Sequence, residues 1–400
     1  MPIRAPEATN VWDTRKIQAV ILASSLILLL VYSAAKSGSA LHAKPRGFDI
    51  ALALARGMAR GHLRVFLVLV LLLILAYLSA PSVQRLYYLF RLPFVWTESS
   101  AQATISQQHD NFDLTFSSFS ANYSTEDAGL RPLIPPKLHH INLGPNAPPS
   151  EWVTARADCL KHHDSWEVFL WNDTNAPQFV EKNYPHLYDM WKSYPFMVQR
   201  IDALRYMALE KYGGAVLDFD LACKRSLEPL RQFEFVAPAA HPAGFSVGMM
   251  LASPNNTFVR SLVESLPMFN HVWPLLPYVT VMFSTGCHYA STVFTLQTNR
   301  SSIRILSGTS DNPTMHMLNG FVDTPLFRHL GSSSWHTKDA RLILLLKDAQ
   351  PSLILVSVVI IIAVLALMLW CARLPRTRLS KRDVESHLQN SSSKSLFKYT

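Results

Sequence analysis

Three long apolar stretches constrain this chain of 400 residues more than any other feature. They cover residues 17–35, 65–80 and 352–372, and almost no charged side chain interrupts them. Because a helix rises about 1.5 Å per residue, roughly 20 apolar residues cross the hydrocarbon core of a bilayer. We therefore predict a membrane protein with transmembrane helices near both ends. The first stretch is also compatible with a signal peptide, but the basic spacer after it fits a helical hairpin better.

The net charge of +9 is concentrated beside these stretches. Residues 81–350 carry nearly balanced charge, which disfavours a nucleic-acid partner. The basic excess lies in the first loop and in the C-terminal tail, at Lys36, Lys44, Arg46, Arg56, Arg60, Arg64, Arg373, Arg376, Arg378, Lys381 and Arg382. Basic flanks of membrane helices remain in the cytosol. We therefore expect the loop and the tail in the cytosol and the central part in the lumen.

Acceptor triplets for N-glycosylation and the cysteine content agree with a lumenal central part. The triplets begin at Asn122, Asn172, Asn255 and Asn299. Of the four cysteines, Cys371 ends the last apolar stretch, which leaves Cys159, Cys223 and Cys287 in the central part. One disulfide among these three is compatible with the lumen, and their spacing indicates no metal site. The sequence leaves the pairing open.

Composition divides the chain into five regions. Residues 1–80 are the N-terminal membrane region, and residues 81–130 begin with aromatic side chains suited to a bilayer interface and continue into a polar stem that we expect to be flexible. The aromatic belt consists of Tyr87, Tyr88, Phe90, Phe94 and Trp96. Residues 131–350 have the patterning of a compact domain. A transmembrane helix at 352–372 and a basic cytosolic tail at 373–400 follow.

Patterning in the compact domain indicates alternating strands and helices. Residues 197–212 have an apolar stripe at helical spacing, and the pair Gly213 and Gly214 ends that helix. The apolar run 215–217 then predicts a short buried strand. Two earlier apolar runs, at 137–143 and 166–171, predict further strands. Such alternation is typical of an α/β sheet domain.

The strongest chemical signal is the pair Asp218 and Asp220, at the end of the predicted strand. Side chains alternate along an extended chain, so both carboxylates point the same way while Phe219 points into the core. Two carboxylates at a strand end make an oxygen site for Mg²⁺ or Mn²⁺, and a metal-bound diphosphate suits such a site. Two Asp residues at this spacing also arise by chance. The preceding helix, Gly pair and strand favour a metal that assists a departing diphosphate.

Asp202 and Arg205 share a face of the predicted helix at spacing i, i+3. One interpretation is an ion pair that only supports the helix. The other places both side chains in the crevice, where Asp202 accepts hydrogen bonds from sugar hydroxyls and Arg205 contacts sugar or phosphate. The sequence leaves both interpretations open.

Two polar turns supply further candidates. Ser284 and Gly286 flank Thr285 after an apolar run, and this turn is either a helix cap or a substrate contact. Ser334, Trp335 and His336 follow a Gly/Ser-rich turn near the end of the domain. A lone His is more often structural than a ligand. The alternative is that His336 completes the metal site, with Ser334 as a phosphate donor beside the Trp335 ring.

His139, His140 and Trp171 lie at the ends of the two earlier predicted strands. Adjacent side chains in a strand face opposite ways, so the two His residues are not expected to share a metal. We interpret them as structural or crevice-lining. Trp171 is expected to fill the core, the alternative being a stack on a nucleotide base.

Five motifs carry a family resemblance between residues 133 and 347. They are Ile134-Pro-Pro-Lys-Leu-His-His140, Gln199-Arg-Ile-Asp-Ala-Leu-Arg-Tyr206, Gly213-Gly-Ala-Val-Leu-Asp-Phe-Asp220, Val281-Met-Phe-Ser-Thr-Gly286 and Ser333-Ser-Trp-His336. In this set the chain resembles the fungal DXD-containing glycosyltransferases of glycosyltransferase family 32. That family includes the inositol-phosphoceramide mannosyltransferases and, more distantly, the α-1,6-mannosyltransferase that begins N-glycan outer chains. The Ser-Ser-Trp-His end and the C-terminal anchor favour the sphingolipid branch.

The resemblance implies a GT-A fold, with a mixed, mostly parallel sheet flanked by helices, and residence in the Golgi membrane. It also implies a GDP-mannose donor, Mn²⁺ or Mg²⁺, and retention at the anomeric carbon. Matched positions give Asp218 and Asp220 the metal and diphosphate role, Asp202 and Arg205 sugar recognition, and His336 a metal or phosphate contact.

The chain departs from the sphingolipid enzymes at three places. Val247 and Gly248 stand where those enzymes carry an Asn-Asp pair, Leu221 stands where they carry a further acid, and Cys287 replaces a Pro. These departures bear on the acceptor and the sugar more than on the reaction class.

Our leading hypothesis from the sequence is mannose transfer from GDP-mannose to inositol-phosphoceramide, a sphingolipid acceptor, with a regulatory membrane subunit as a further partner. Transfer to N-glycan outer chains or another glycan is the alternative within the same class. A non-catalytic regulatory subunit with the same fold is a second alternative. A transporter is disfavoured, because the apolar stretches contain no charged residues of the kind that line ion paths.

Overall fold

The computed structural model describes residues 48–331 and 339–340 together with the isolated positions 359, 363, 364 and 366, and it describes side chains from residue 65 onward. The predicted segment 17–35, nearly all of segment 352–372 and the C-terminal tail lie outside the described residues. By compactness the chain divides into two units, Met1–Ser79 and Ala80–Thr400. All the sheets and the candidate site belong to the second unit.

The first helix, α1, is Phe48–Ala101. From Val65 onward it contains an 18-residue window with a mean hydropathy of 2.5, and none of that window is buried. By length and composition, α1 could therefore cross a membrane, as predicted for segment 65–80. The helix extends further than the sequence pattern indicated, so the aromatic residues at 87–96 lie on it rather than in a loop.

Eight further helices of the described residues are α2 Gln107–Asp110, α3 Ser150–His162, α4 Asn175–Asn183, α5 Pro185–Ser193, α6 Met197–Tyr212, α7 Thr257–Phe269, α8 Pro277–Ser284 and α9 Cys287–Thr295. A 3-10 turn forms at Glu228–Gln232. The strands are β1 Lys137–Ile141, β2 Glu167–Trp171, β3 Gly214–Leu217, β4 Leu221–Cys223, β5 Phe235–Pro238, β6 Met249–Ala252, β7 Ile303–Leu306, β8 Phe321–Asp323 and β9 Phe327–Leu330.

The strands form two sheets, which confirm the predicted mixed, mostly parallel α/β architecture. The larger sheet has the order β2-β1-β3-β6-β5-β7, and the smaller one has the order β4-β9-β8. In the larger sheet β1 pairs parallel with β2 and β3, β5 pairs parallel with β7, and β6 runs antiparallel to both of its neighbours. The end of β3 therefore lies in the middle of the sheet, where Asp218 follows it directly.

The Gly pair before β3 is required by close backbone contacts. Gly213 and Gly214 have φ angles of 64° and 100°, a region that residues with a side chain rarely adopt. A Cβ atom at Gly214 would lie 2.5 Å from the carbonyl oxygen of Lys137 on β1. The two glycines therefore end α6 and also let β3 enter the sheet beside β1.

Residues 97–129 differ from the flexible stem that we predicted. Ile105, Phe112 and Phe116 are buried in a core cluster of the second unit. The backbone of this segment also pairs with β7, since Ile105 N donates to Ile305 O at 3.0 Å and Ile305 N donates to Ala103 O at 2.7 Å. In this segment the apolar residues are spaced irregularly among Ser and Thr. Their burial could therefore not be predicted from a helical or strand periodicity.

A disulfide joins Cys159 at the end of α3 to Cys223 at the end of β4. The sequence allowed one lumenal disulfide without assigning the pair, and the structure assigns it. Cys287 is the free cysteine among the described residues. A disulfide agrees with the lumenal placement that we predict.

We expect Gly214→Ala to destabilise the full chain strongly, whereas Gly129→Ala should have a smaller effect. Both positions have positive φ angles, which cost a residue with a side chain about 1–2 kcal/mol. Only the substitution at Gly214 adds a clash with backbone, because nothing lies within 4 Å of a Cβ atom at Gly129. Thermal unfolding of the detergent-solubilised protein measures the difference. Equal losses for the two variants would contradict the proposed close approach of β3 to β1.

Candidate active site

The core of the candidate site is a cluster formed by Asp202, Arg205 and Asp218. Arg205 Nη2 lies 2.8 Å from Asp218 Oδ1 and 3.5 Å from Asp202 Oδ1. Its other terminal nitrogen, Nη1, donates to the backbone carbonyl of Val247. The helix ion pair that we considered is therefore present, but it also extends across to the first acid of the predicted metal pair. Asp202 and Arg205 are thus brought to the end of β3, as the crevice interpretation required.

The electrostatics of this cluster favour a positively charged or hydroxyl-bearing ligand. Asp202 and Arg205 are buried, whereas the side chain of Asp218 is 42% exposed. Burial and the charge of Asp218 raise the pKa of Asp202 to about 7, against the opposing effect of Arg205. Burial lowers the pKa of Arg205, but the negative charges of Asp218 and Asp202 raise it by more, so Arg205 stays charged. One guanidinium thus faces two carboxylates, and the cluster has an excess of negative charge when both ionise.

Two buried polar atoms beside the cluster have no hydrogen-bond partner within the described part of the chain. They are Arg205 Nε and the hydroxyl of Tyr194. Tyr194 is close enough to Asp202 for the carboxylate, after burial, to contribute to the raised pKa of the hydroxyl. A buried polar group without a partner is costly. A ligand with several hydroxyl groups would supply the missing hydrogen bonds.

The turn at Ser284–Gly286 supports the cluster through its middle residue. Thr285 Oγ1 donates to Asp202 Oδ2 at 3.1 Å. Ser284 is fully buried, where its hydroxyl accepts from Gln199 Nε2 at 2.6 Å, and Gly286 is buried as well. The sequence singled out Ser284 and Gly286 as possible substrate contacts; in the structure both are buried, and Thr285 between them is the residue of this turn that contacts Asp202. Thr285 was not singled out, and its position between the two was the available signal.

Asp220 is buried and lies against His329 of β9. His329 Nε2 is 3.1 Å from Asp220 Oδ2, and the backbone N–H of Leu330 donates to Asp220 O at 2.9 Å. Burial lowers the pKa of His329, but the hydrogen bond to Asp220 and the negative charges of Asp220 and Asp218 together raise it by more. The sequence analysis missed His329. The short run before Gly331 contains this His, which was the available signal. The pairing of that strand, β9, with β4 could not be predicted from the local sequence pattern.

Gly248 gives the carboxylate of Asp218 its space. The backbone N–H of Asp218 donates to Gly248 O at 2.8 Å, and a Cβ atom at Gly248 would lie 2.9 Å from Asp218 Oδ2. Gly248, one of the residues at which this chain departs from the sphingolipid enzymes, therefore lies directly against Asp218. Ser334, Trp335 and His336 lie outside the described residues, so their predicted roles remain predictions.

His139, His140 and Trp171 are structural rather than crevice-lining. All three are buried, and the His139 ring stacks on Phe169 with centroids 4.6 Å apart. Trp171 Nε1 donates to His139 Nδ1 at 3.3 Å. The His140 ring lies 5.4 Å from the ring of Phe219, which stands between Asp218 and Asp220 in the sequence. Burial is the main cause that lowers the pKa of His139 to about 4 and that of His140 to about 3, so both are neutral at pH 7.

The described residues of the second unit line two cavities. One of about 610 Å³ is lined by His329 and by Glu151, Thr154, Phe321, Val322, Asp323, Arg328 and Leu330. The other, of about 200 Å³, lies where β1 and β2 end and is lined by Leu143, Asp173, Pro177, Tyr188, Trp191, Lys192, Met197 and Arg200. The larger cavity reaches the candidate site through His329, whose ring contacts Asp220.

Within the described residues, no group of three or more His, Cys, Asp or Glu side chains is arranged to hold a metal by itself. Asp218, Asp220 and His329 nevertheless provide carboxylate oxygens and one imidazole close together. Divalent cations in phosphate-binding sites commonly use one or two carboxylates and take their other ligands from the substrate phosphates and water. These residues therefore fit a cation that arrives with a diphosphate.

We expect Arg205→Met to lower the free energy of unfolding by about 3–5 kcal/mol, because it leaves the carboxylates without their counter-charge. Adding Asp202→Asn to that variant should recover part of the loss. Lys211→Met, at an exposed position of the same helix, should cost little. Thermal unfolding of the four proteins provides the comparison. If the double variant were no more stable than Arg205→Met, the proposed electrostatic role of Arg205 would be wrong.

We expect acidification below pH 6.5 to destabilise the domain, and His140→Phe to reduce that dependence. The unfolded chain binds a proton at each His near pH 6.5, whereas His140 in the folded chain stays neutral until about pH 3. Its contribution to stability is therefore present above pH 6.5 and is lost as the pH falls, by up to about 1.4 kcal/mol per pH unit. Urea unfolding between pH 6.5 and 5 measures the slope. An unchanged slope in the variant would contradict a neutral buried ring.

Comparison with known proteins places these observations in a family. Residues 149–236, which include Asp202, Arg205, Asp218 and Asp220, match the model described as the glycosyltransferase sugar-binding region containing DXD motif. The mannosyl phosphorylinositol ceramide synthases CSH1 and SUR1 of Saccharomyces cerevisiae are 31% and 30% identical to the chain. The matches cover 52% and 56% of this chain and 55% and 57% of those proteins.

A third relative matches over a longer part of both chains. The inositol phosphoceramide mannosyltransferase 1 of Schizosaccharomyces pombe is 29% identical, over 70% of this chain and 85% of that protein. The chain spans somewhat more than half the length of the two Saccharomyces relatives that it matches. The resemblance that the motifs indicated is thereby confirmed. Residues 149–236 of this chain are thus similar to the sugar-binding region of the DXD-containing glycosyltransferases, and a longer part of the chain is similar in sequence to the fungal inositol phosphoceramide mannosyltransferases.

Proposed function

We propose that this protein is a membrane-anchored glycosyltransferase that moves mannose from GDP-mannose to inositol-phosphoceramide. The observation that carries the proposal is the cluster in which Arg205 bridges Asp202 and Asp218 at the end of β3. The similarity to a mannosyl phosphorylinositol ceramide synthase and to an inositol phosphoceramide mannosyltransferase supports the mannosyl group and the sphingolipid acceptor. The apolar helix α1 supports a location at a membrane.

In this proposal the donor sugar binds against the buried face of the cluster. Asp202 accepts hydrogen bonds from sugar hydroxyls, while Arg205 Nε and the Tyr194 hydroxyl gain the partners that they lack in the described part of the chain. Thr285 holds the Asp202 carboxylate in place. Because these groups are buried, their hydrogen bonds to the sugar are shielded from water and discriminate strongly between hydroxyl arrangements.

The diphosphate of the donor would lie at Asp218 and Asp220. These carboxylates, with His329 beside Asp220, would hold Mn²⁺ or Mg²⁺, which neutralises the charge that develops as the nucleoside diphosphate departs. The half-exposed carboxylate of Asp218 is accessible to such a ligand. The cavity of about 610 Å³ beside His329 offers room for the headgroup of an acceptor next to the reacting centre.

We further propose that the domain lies on the lumenal side of the Golgi membrane. The disulfide between Cys159 and Cys223 and the acceptor triplets for N-glycosylation support an oxidising, lumenal environment. A regulatory membrane subunit remains part of the proposal as a partner, on the strength of the family resemblance.

We expect Asp220→Ala to reduce mannose transfer by at least about a thousandfold in the purified full chain, because the variant loses a group that stabilises the developing charge. Asp311→Ala removes an exposed acid from a loop and should leave turnover unchanged. Thermal unfolding should confirm that both variants are folded. Retained turnover in Asp220→Ala would contradict the assigned role.

The acceptor is tested by offering inositol-phosphoceramide and an N-glycan acceptor in parallel. We expect transfer to the lipid and little transfer to the glycan. Transfer to the glycan alone would establish the alternative acceptor. If GDP-mannose with Mn²⁺ neither reacts nor shifts the unfolding temperature, the protein is a non-catalytic subunit.

A further inference from the structure

Large apolar side chains are exposed on two separate segments of the second unit. On α1 they follow the apolar stretch 65–80, and on the loop 270–276 they lie between α7 and α8. We call this set the apolar rim, which consists of Val83, Tyr87, Phe90, Phe94, Val272 and Leu275. Phe94 is 88% exposed and Leu275 is 95% exposed. Exposed apolar side chains that gather in one place usually mark a surface of interaction.

Ring contacts join the two segments of the rim. The rings of Phe90 and Trp273 both meet the Phe283 ring edge-on, with centroid distances of 6.0 Å and 5.8 Å. Arg85 Nη1 also approaches the carbonyl oxygen of Met268 at the end of α7, at 3.4 Å. Residues nearly two hundred positions apart in sequence therefore form one surface, which sequence order alone does not reveal.

The loop presents Leu275 in a fixed conformation. Leu275 has a φ angle of 64°, a left-handed conformation that costs a residue with a side chain about 1–2 kcal/mol. The hydroxyl of Thr280 stabilises the turn, since it accepts from Trp273 N at 2.9 Å and lies 2.9 Å from Leu276 O. The chain thus holds an apolar side chain outward in an unfavourable backbone conformation, which suggests that another apolar medium covers it.

Composition and connectivity identify that medium as a lipid bilayer. Residues 83–94 come directly after the apolar stretch 65–80 on the same helix, so they emerge where that stretch ends. Neither residues 81–97 nor residues 268–284 contain an Asp or Glu, whereas Arg85 and Arg91 provide positive charge. The Arg91 guanidinium lies 5.7 Å from the Tyr87 ring centroid. Trp, Tyr and Arg beside aliphatic side chains are typical of the bilayer interface, where cations meet lipid phosphates.

We propose that loop 270–276 inserts Val272 and Leu275 into the headgroup layer of the membrane, beside residues 83–94 of α1. The loop leads directly into α8, which ends at Ser284, and the next residue is Thr285, the hydrogen-bond donor to Asp202. The membrane contact is therefore a single helix away from the sugar-recognition cluster. This step rests on the proposed function, in which the acceptor is a lipid. The contact of loop 270–276 then positions the candidate site at the headgroup layer, which contains that acceptor.

Fluorescence at position 275 tests the membrane contact without any assay of activity. The full chain, with Leu275→Cys in a background of Cys287→Ser and Cys371→Ser, is labelled with an environment-sensitive fluorophore and placed in lipid nanodiscs. The matched control carries the label at Val153→Cys, another exposed apolar position, on α3. Nitroxide lipids with the spin label near the headgroup serve as quenchers.

We expect a blue-shifted emission at position 275 and quenching at least about threefold stronger than at position 153. Water-like emission with equal quenching at both positions overturns the proposal. Blue-shifted emission without lipid quenching, lost when the protein is diluted, also overturns it, because a second copy of the chain then covers the loop.

A kinetic comparison connects the contact with the acceptor. In a variant with Val272→Ser and Leu275→Ser, we expect the KM for inositol-phosphoceramide in vesicles to rise by at least about threefold, with kcat and the KM for a detergent-dispersed acceptor unchanged. Val153→Ser serves as the control and should change neither. An unchanged KM for the vesicle acceptor overturns the positioning role. If the wild-type chain transfers no sugar, the proposed function fails, and the quenching result still decides the membrane contact.

Discussion

The candidate site depends on one buried guanidinium. Arg205 contacts Asp202 on its own helix, Asp218 at the end of β3 and the backbone of Val247 before β6. Helix α6, the end of β3 and the residues before β6 must therefore keep fixed distances from one another. The sheet order β1-β3-β6, in which β3 and β6 are neighbours, helps to fix these distances. One positive charge faces two carboxylates, and Asp202 and Arg205 are buried while Asp218 is partly exposed, which makes the cluster suited to a hydroxylated ligand that arrives with a cation.

The elements that depend on local pattern could be predicted from the sequence. The helix at 197–212 has bounds identical to those of α6, and the Gly pair and the short strand follow as expected. The two acids come directly after β3, but they lie in a turn rather than on an extended strand, and Phe219 between them is only partly buried. Local chemistry decides these features, since positive φ angles favour Gly and a short apolar run favours a buried strand. The mixed sheet was also predictable, although its order was not, because the sequence does not state which strands become neighbours.

The parts that escaped prediction depend on contacts between distant residues. His329 meets Asp220 only because β9 pairs antiparallel with β4, over a separation of 109 residues. Thr285 reaches Asp202 over a separation of 83 residues. The segment at 97–129 is packed because its backbone joins β7, although its polar composition indicated a flexible stem. In each case tertiary packing provided the information that the local pattern lacked.

The same packing connects the candidate site with the proposed membrane contact. Helix α8 lies between the exposed loop at 270–276 and the turn that holds Asp202, and Asp339 Oδ2 accepts from Tyr278 N at 2.8 Å at the start of that helix. In our proposal, the lipid acceptor and the donor sugar therefore bind near opposite ends of one short helix. This arrangement explains why an apolar loop and a carboxylate cluster occur so close together in one chain.

The most direct test of the account is a structure of the full chain with GDP and Mn²⁺. The account predicts the cation between the diphosphate and the carboxylates of Asp218 and Asp220, with Arg205 still in contact with Asp202. A diphosphate bound elsewhere, with Arg205 still in contact with Asp218 and His329 still in contact with Asp220, would contradict it.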